Sequence, residues 1–386
     1  MRRRSARKTE CGNRATLDET SLMRYRKTTS FLPTLALLAT LPLGLSACDS
    51  GGDDEGAASE NVACIIPPRQ LHDSVPIDGI PALTDPALVG ADEIDYLADD
   101  ALVLGFHMGD VAVAVPHAIL HWHEIINFNQ TDPRLAITFC PLTGSGLAFD
   151  RAAIGDAEFG VSGLIYLNNN VMYDRRSSPS LWSQMGAGAV CGDASGTSLR
   201  PVALLEMTWA GWRSLYPDTR VLSDDTGFDR NYRGNPLAQY AEVDNPRFLF
   251  PMPGPIDTRR PPKERILGIP DGDGGLAFPF LALDDGAPFR VVHATAKGES
   301  IVVFYDQARR AAAAYLLTSE HAQRTFDARD GQIVDAETGS VWQVDGRATS
   351  GPLEGNLLTP INEAYVSFWF AWAAFQPETE IWDDGL

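Results

Sequence analysis

From about residue 100 onward the chain is built of short runs of alternating apolar and polar residues, separated by clusters of Gly, Asn, Asp and Pro. Runs at 101–106, 111–115, 119–126, 135–139 and 147–149 read as strands, because a period of two puts every other side chain on one face. A second series follows at 276–283, 289–293, 301–305 and 311–317, with two shorter runs flanking Glu337-Thr338-Gly339. Two stretches have helical character, 91–100 and 206–216, the second closed by Pro217. A Pro-rich segment, 246–262, reads as a long connection. The close, Phe368-Trp369-Phe370-Ala371-Trp372-Ala373-Ala374-Phe375, is apolar on all sides and too short to span a membrane, so it reads as a buried segment. The predicted fold class is α+β and β-rich: mostly antiparallel sheets with a few helices, in one globular domain over 64–380.

The two series resemble each other. Gly109-Asp110 leading into Val113-Ala114-Val115-Pro116 matches Gly272-Asp273 leading into Leu276-Ala277-Phe278-Pro279. Ile137-Thr138-Phe139-Cys140 matches Val302-Val303-Phe304-Tyr305, and Leu181-Trp182-Ser183-Gln184 matches Val341-Trp342-Gln343. The order is kept, which predicts two duplicated halves with pseudo-repeats at 109–190 and 272–348.

Residues ahead of the globular part have a different character. An apolar run at 31–47 follows Arg24, Arg26 and Lys27 and ends in Leu45-Ser46-Ala47-Cys48. That is the layout of an export signal, and the final tetrapeptide is that of a bacterial lipobox, in which Cys48 carries the lipid. Residues 1–47 are therefore expected to be a signal region, with Met23 as the more usual start. Residues 48–63, without a large apolar side chain after Cys48 until Val62, are expected to be a flexible tether. The expected location is the bacterial cell envelope, lipid-anchored. Asp49 after the lipidated cysteine suggests the periplasmic side of the inner membrane.

Charge narrows the partners. Nine of the 31 Lys and Arg and three of the 51 Asp and Glu precede Cys48, leaving 22 basic against 48 acidic residues, a balance of −26. Nucleic acid is excluded, because its affinity comes from neutralised phosphates. A basic patch on anionic lipid is excluded too, so the membrane is reached through the lipid anchor. Cys64, Cys140 and Cys191 remain in an oxidising compartment. Two readings stand: Cys64 paired with Cys191 and Cys140 free, or three buried unpaired thiols.

The candidate chemistry lies at 111–150. On a strand, His121 and His123 would share a face, and Cys140 at the end of a neighbouring strand would face them across about one strand spacing. His121, His123 and Cys140, with Met172 nearby, form a candidate metal set for Cu, Zn or Fe. Cys140, His123 and Glu124 are the candidate catalytic residues, with Glu124 or Asn127 supporting the imidazole. The competing reading is structural: histidines satisfied within a hairpin and Cys140 a small buried hydrophobe. A hydrolase using Cys140 with His123 lacks an identifiable orienting acid. Thr143-Gly144-Ser145-Gly146 is a tight turn, readable as an anion nest or a plain turn. Walker A, HExxH, CxxCH and Gly-x-Ser-x-Gly motifs are absent from the sequence.

Several strings together resemble a bacterial domain-of-unknown-function family, the one numbered three-one-seven-nine. They are Trp122-His123-Glu124-Ile125-Ile126-Asn127, Thr138-Phe139-Cys140-Pro141-Leu142, Phe149-Asp150-Arg151, Gly160-Val161-Ser162-Gly163, Met172-Tyr173-Asp174-Arg175, Trp182-Ser183-Gln184 and Pro261-Pro262-Lys263-Glu264-Arg265. The resemblance covers roughly residues 65–380 and implies no established activity. It implies a Cys-Pro-Leu-Cys element in many relatives. Here Thr143 replaces the second cysteine, which removes a dithiol mechanism and leaves a single-thiol or structural role.

Overall fold

The computed structural model describes residues 64–318, 321 and 324–383. The signal region, Cys48 and the whole of the tether lie outside the described residues. Three short strands lead in: β1 (Leu71–Asp73), β2 (Leu83–Thr84) and β3 (Leu88–Gly90). The first half runs β4 (Leu102–Met108), β5 (Val111–Pro116), α1 (His117–His123), β6 (Ile125–Phe128), β7 (Leu135–Cys140) and β8 (Ser145–Asp150). It continues with β9 (Phe159–Tyr166), β10 (Asn169–Asp174), β11 (Leu181–Ser183), β12 (Gly188–Cys191) and β13 (Arg200–Val202). It closes with β14 (Leu205–Thr208), α2 (Trp209–Leu215) and β15 (Arg220–Leu222).

The second half opens with β16 (Arg265–Asp271), β17 (Gly274–Pro279), α3 (Phe280–Leu283), β18 (Phe289–Ala296), β19 (Glu299–Asp306) and β20 (Ala311–Leu316). It continues with β21 (Phe326–Arg329), β22 (Gln332–Asp335), β23 (Val341–Trp342), β24 (Ala348–Ser350) and β25 (Thr359–Pro360). β26 (Tyr365–Phe368), α4 (Trp369–Phe375) and β27 (Glu380–Ile381) end it.

The sheet order recurs. The first half forms β13-β8-β7-β6, β14-β4-β5-β15 and β9-β10-β11-β12, and the second forms β25-β20-β19-β18, β26-β16-β17-β27 and β21-β22-β23-β24. β1, β2 and β3 each add an edge strand to one sheet of the first half. Pairing is antiparallel except where β15 joins β5, β27 joins β17 and β2 joins β6. Landmarks recur as well. The Trp182 indole N–H donates to Asp174 at 2.7 Å, and that of Trp342 donates to Asp335 at 3.0 Å. Trp212 donates to Thr219 and Trp372 to Thr379. Both of these indoles lie on a glycine, Gly105 or Gly268, where a Cβ would come within 2.0 or 2.3 Å of the ring. Only the missing side chain permits that approach.

Each half completes the other's core. Cys140, Met172 and Trp182 pack with Ile266, Trp369 and Trp372, while Val103, Trp209 and Trp212 pack with Val302, Phe304 and Trp342. The hairpin turns dock across the seam in matching fashion: Phe368 N–H donates to the Thr143 carbonyl at 2.7 Å, and Thr208 N–H to the Arg309 carbonyl at 2.9 Å. The apolar close of the chain is thus β26 and α4, buried in this shared core. A Cys64–Cys191 disulfide ties the start of the described chain to β12, and among the described residues Cys140 is the free cysteine.

Three expected elements differ. Residues 91–100 are turns, because Glu93 turns its carboxylate and its own N–H back onto Gly90, a local bond that competes with a helix. The run 119–126, expected as strand, begins inside α1, which spans His117–His123. Pro116, with φ −70 and ψ 138, ends β5 and supplies the N-cap, and His117, Leu120 and His123 recur every three residues on the buried face. The run 276–283, expected as one strand, is strand only to Pro279; residues 280–283 form α3, with Pro279 standing ahead of it in the same way.

Candidate functional site

The helix separates the two histidines that the strand reading put on one face. Residues two apart on a helix point about 200° apart. His121 packs edge-on against Phe139 at 5.5 Å and His117 at 6.4 Å. Burial and the neighbouring His117 push its pKa down to about 3. His123 is fully buried and holds the Pro81 carbonyl at 2.7 Å through Nδ1 and the Tyr232 hydroxyl at 2.5 Å through Nε2. A carbonyl can only accept, so Nδ1 carries the proton and the Nε2 lone pair takes the Tyr232 O–H. Tyr232 in turn sits 2.6 Å from Thr226. Neither His123 nitrogen has a lone pair left for a metal. Met172 is buried on β10 between Val161 and Trp182. Among the described residues no group of three or more His, Cys, Asp or Glu could hold a metal ion.

Cys140 keeps different company. Its thiol donates to the Asn168 carbonyl at 3.7 Å and is 1% exposed. Burial first, then the charge of Glu124, pushes its pKa up to about 11, against opposing hydrogen bonds from Thr143 and Leu142. No imidazole contributes. The thiol therefore keeps its proton at neutral pH, and a protonated thiol is neither nucleophile nor ligand.

Glu124 is the unusual residue. It caps α1 at φ 55 and ψ −30, a region that non-glycine residues rarely occupy. Two bonds impose it: Glu124 N–H donates to Leu120, and the Glu124 carbonyl accepts from Phe139 on β7. The side chain is buried, and Asn170 Nδ2 donates to Oε2 at 3.1 Å. Burial pushes the carboxyl pKa up to about 7, with the Asn170 bond working the other way. Asn170 Oδ1 is buried with no hydrogen-bond partner. Glu124, Asn170 and Cys140 thus form a buried cluster that holds protons near neutrality.

The cluster is sealed from above. Asn168, itself at φ 61, pairs its side-chain amide with both backbone groups of Phe250 at 3.0 Å. Tyr240 donates to Leu142, and Lys263 stands 3.8 Å over the Tyr240 ring. The Pro-rich connection is therefore a cover rather than a loose link. The Thr143-Gly144-Ser145-Gly146 turn is committed as well. Its hydroxyls join Asn169 and Gln184 in a buried network, and Gly144 lies against the Phe368 ring.

Open space lies elsewhere. A cavity of about 300 Å³ runs along the seam between the halves, lined by apolar side chains with His107, Glu206, Tyr216, Asp345, Arg347 and Tyr365 among them. Sequence reasoning missed these residues, because they come together only through long-range strand pairing. The repeat was the one signal that the chain contained such a seam.

A family profile described as "Protein of unknown function (DUF3179)" matches residues 77–379, and the chain belongs to that family. Neither the search of curated proteins nor that of solved structures gave a match.

Proposed function

We propose that this family member is a cell-envelope lipoprotein that binds rather than catalyses, with Cys140, Glu124 and His123 serving its framework. The observation that carries this reading is the buried, protonated Cys140 thiol with no imidazole among its partners. Transition-metal binding or single-thiol redox chemistry through Cys140 with His121, His123 and Met172 would need a thiolate and a free imidazole lone pair. The buried Cys140 thiol keeps its proton and both His123 nitrogens are bonded. The unpartnered His121 Nδ1 belongs to a ring packed against His117 and Phe139 and is not among the groups acting on Cys140. The Leu45-Ser46-Ala47-Cys48 string supports anchoring by lipid at Cys48, and the acidic balance leaves lipid as the means of holding the protein at a bilayer.

Two measurements test the reading. Cys48→Ala should release the protein from membranes, and a variant that still fractionates with salt-washed membranes contradicts the anchor. Purified protein exposed to equimolar Cu, Zn or Fe and desalted should retain far less than one equivalent. Near-stoichiometric metal that disappears in Cys140→Ala would carry the metal reading instead.

A further inference from the structure

The seam cavity has a repeated frame and an unrepeated set of polar groups. Leu104 and Leu267 line it from the matching strands β4 and β16, and Gly146 and Ala312 line it from β8 and β20. Leu205 pairs with Gly105, and Tyr365 pairs with Gly268, so these two also occupy matching places. The cavity therefore lies where the halves face each other.

The polar groups break that match. Tyr365 stands where the first half has Leu205. Asp345 and Arg347 stand where the first half has Gly186 and Gly188. That match follows from Gly346 and Ala187, which take the same place in the two turns: each N–H donates to a glutamine carbonyl, Gln343 or Gln184, and each carbonyl accepts from a leucine N–H, Leu358 or Leu199. The first half has two glycines beside its turn, and the second has a buried carboxylate and a half-exposed guanidinium.

The partners of these groups point to a ligand. Asp345 accepts the Tyr216 hydroxyl at 2.7 Å and forms a loose ion pair with Arg347 Nε at 3.9 Å. Arg347 also faces the Tyr216 hydroxyl, so the half-exposed guanidinium stands at the cavity wall with donors to spare. His107 lies edge-on to Tyr216 at 5.0 Å. The Tyr365 hydroxyl is buried with no hydrogen-bond partner, although Tyr365 lines the cavity. A buried hydroxyl without an acceptor costs roughly 1–3 kcal/mol, which an acceptor oxygen in the cavity would remove. The guanidinium fork matches a carboxylate in two-point geometry. The volume suits a small molecule at the lower end of ligand sites.

We propose that the seam cavity binds a small amphipathic carboxylate, with its apolar body between the halves and its carboxylate on Arg347. The chain's acidity repels anions in bulk, so selectivity has to come from Arg347 itself. The proposal rests on the binding reading above, and the metal assay tests that reading separately.

Calorimetric titration of the full chain carrying Cys48→Ala, free of detergent, with sodium octanoate and with octan-1-ol tests it. Octanoate should bind at one site, at least about tenfold tighter than the alcohol, as expected for one charge-assisted pair. Arg347→Gln should remove that preference and leave the alcohol's affinity unchanged. Ala313→Phe, which fills the cavity, should abolish both. Should Ala313→Phe fail to fold, Tyr365→Phe decides the location by weakening octanoate about threefold or more. No heat from either ligand, equal affinities in the wild type, or full octanoate selectivity in Arg347→Gln would each overturn the proposal.

Discussion

Glu124→Gln should stabilise the protein at pH 8 and leave it nearly unchanged at pH 4. Burial raises the Glu124 carboxyl from 4.5 to about 7. The sign follows from proton binding. Between these two values the folded state holds more protons than the unfolded state, so stability is full below about pH 4.5 and falls as pH rises through 7. A gap of about 2.5 units, at about 1.4 kcal/mol each, amounts to about 3 kcal/mol. Glutamine has the same shape and never ionises. Its carbonyl can accept from Asn170 Nδ2, and its amide can donate to Asn170 Oδ1, which has no partner now. Urea unfolding of both proteins from pH 4 to pH 9 measures the effect. The difference between them should open above about pH 4.5, grow most steeply between pH 5 and 7, and level off near about 3 kcal/mol above pH 7, while other titrating groups cancel. A difference that stays flat with pH, or a variant weaker than wild type at pH 8, would refute the reasoning.

Two further substitutions probe the frame. Lys263→Met should cost about 2 kcal/mol, because it leaves the Asn245 and Arg247 carbonyls without their ammonium donor; limited proteolysis should then cut faster within 235–262, and an unchanged cutting rate speaks against the cover. Trp182→Phe and Trp342→Phe should each cost about 3 kcal/mol, since each removes an indole N–H from a buried carboxylate and leaves a cavity; a cost below about 1 kcal/mol for either would deny the two positions equivalent roles.

Much of the frame was legible in residue patterns because its strands are short apolar runs between turn residues. β5, β7, β8, β19 and β20 are buried over nearly their whole length, and such short continuous apolar runs mark strands of a two-sided core. The terminal apolar run was legible as buried because it has no polar face. α1 was not, since His117-Ala118-Ile119-Leu120-His121-Trp122-His123 fits either period over so short a run. Pro116 was the informative residue: a fixed φ and a missing N–H suit the boundary between strand and helix.

The site was half legible. Cys140 and Glu124 were named and do interact, but the histidines were linked to them by a strand geometry that the chain does not adopt. Glu124's own role depends on Asn170, 46 residues away, and on a cover made by Asn168 with Phe250, which no local pattern announces. Arg347 and Tyr216 lie in different halves and meet only because each half completes the other's core.

Cys140 belongs to the frame, and alkylation of this thiol with iodoacetamide tests that role most directly. Among the described residues Cys64 is bonded to Cys191 and Cys140 is the free thiol, so peptide mapping of the labelled protein reads this position by itself. A pKa of about 11 against an ordinary 9.0 lowers the thiolate fraction at pH 7 by about a hundredfold, before burial slows access further. Labelling of the native protein at pH 7 should therefore be at least about a hundredfold slower than in urea. A native rate within tenfold of the unfolded rate, or faster, would mark Cys140 as a reactive group and contradict the account.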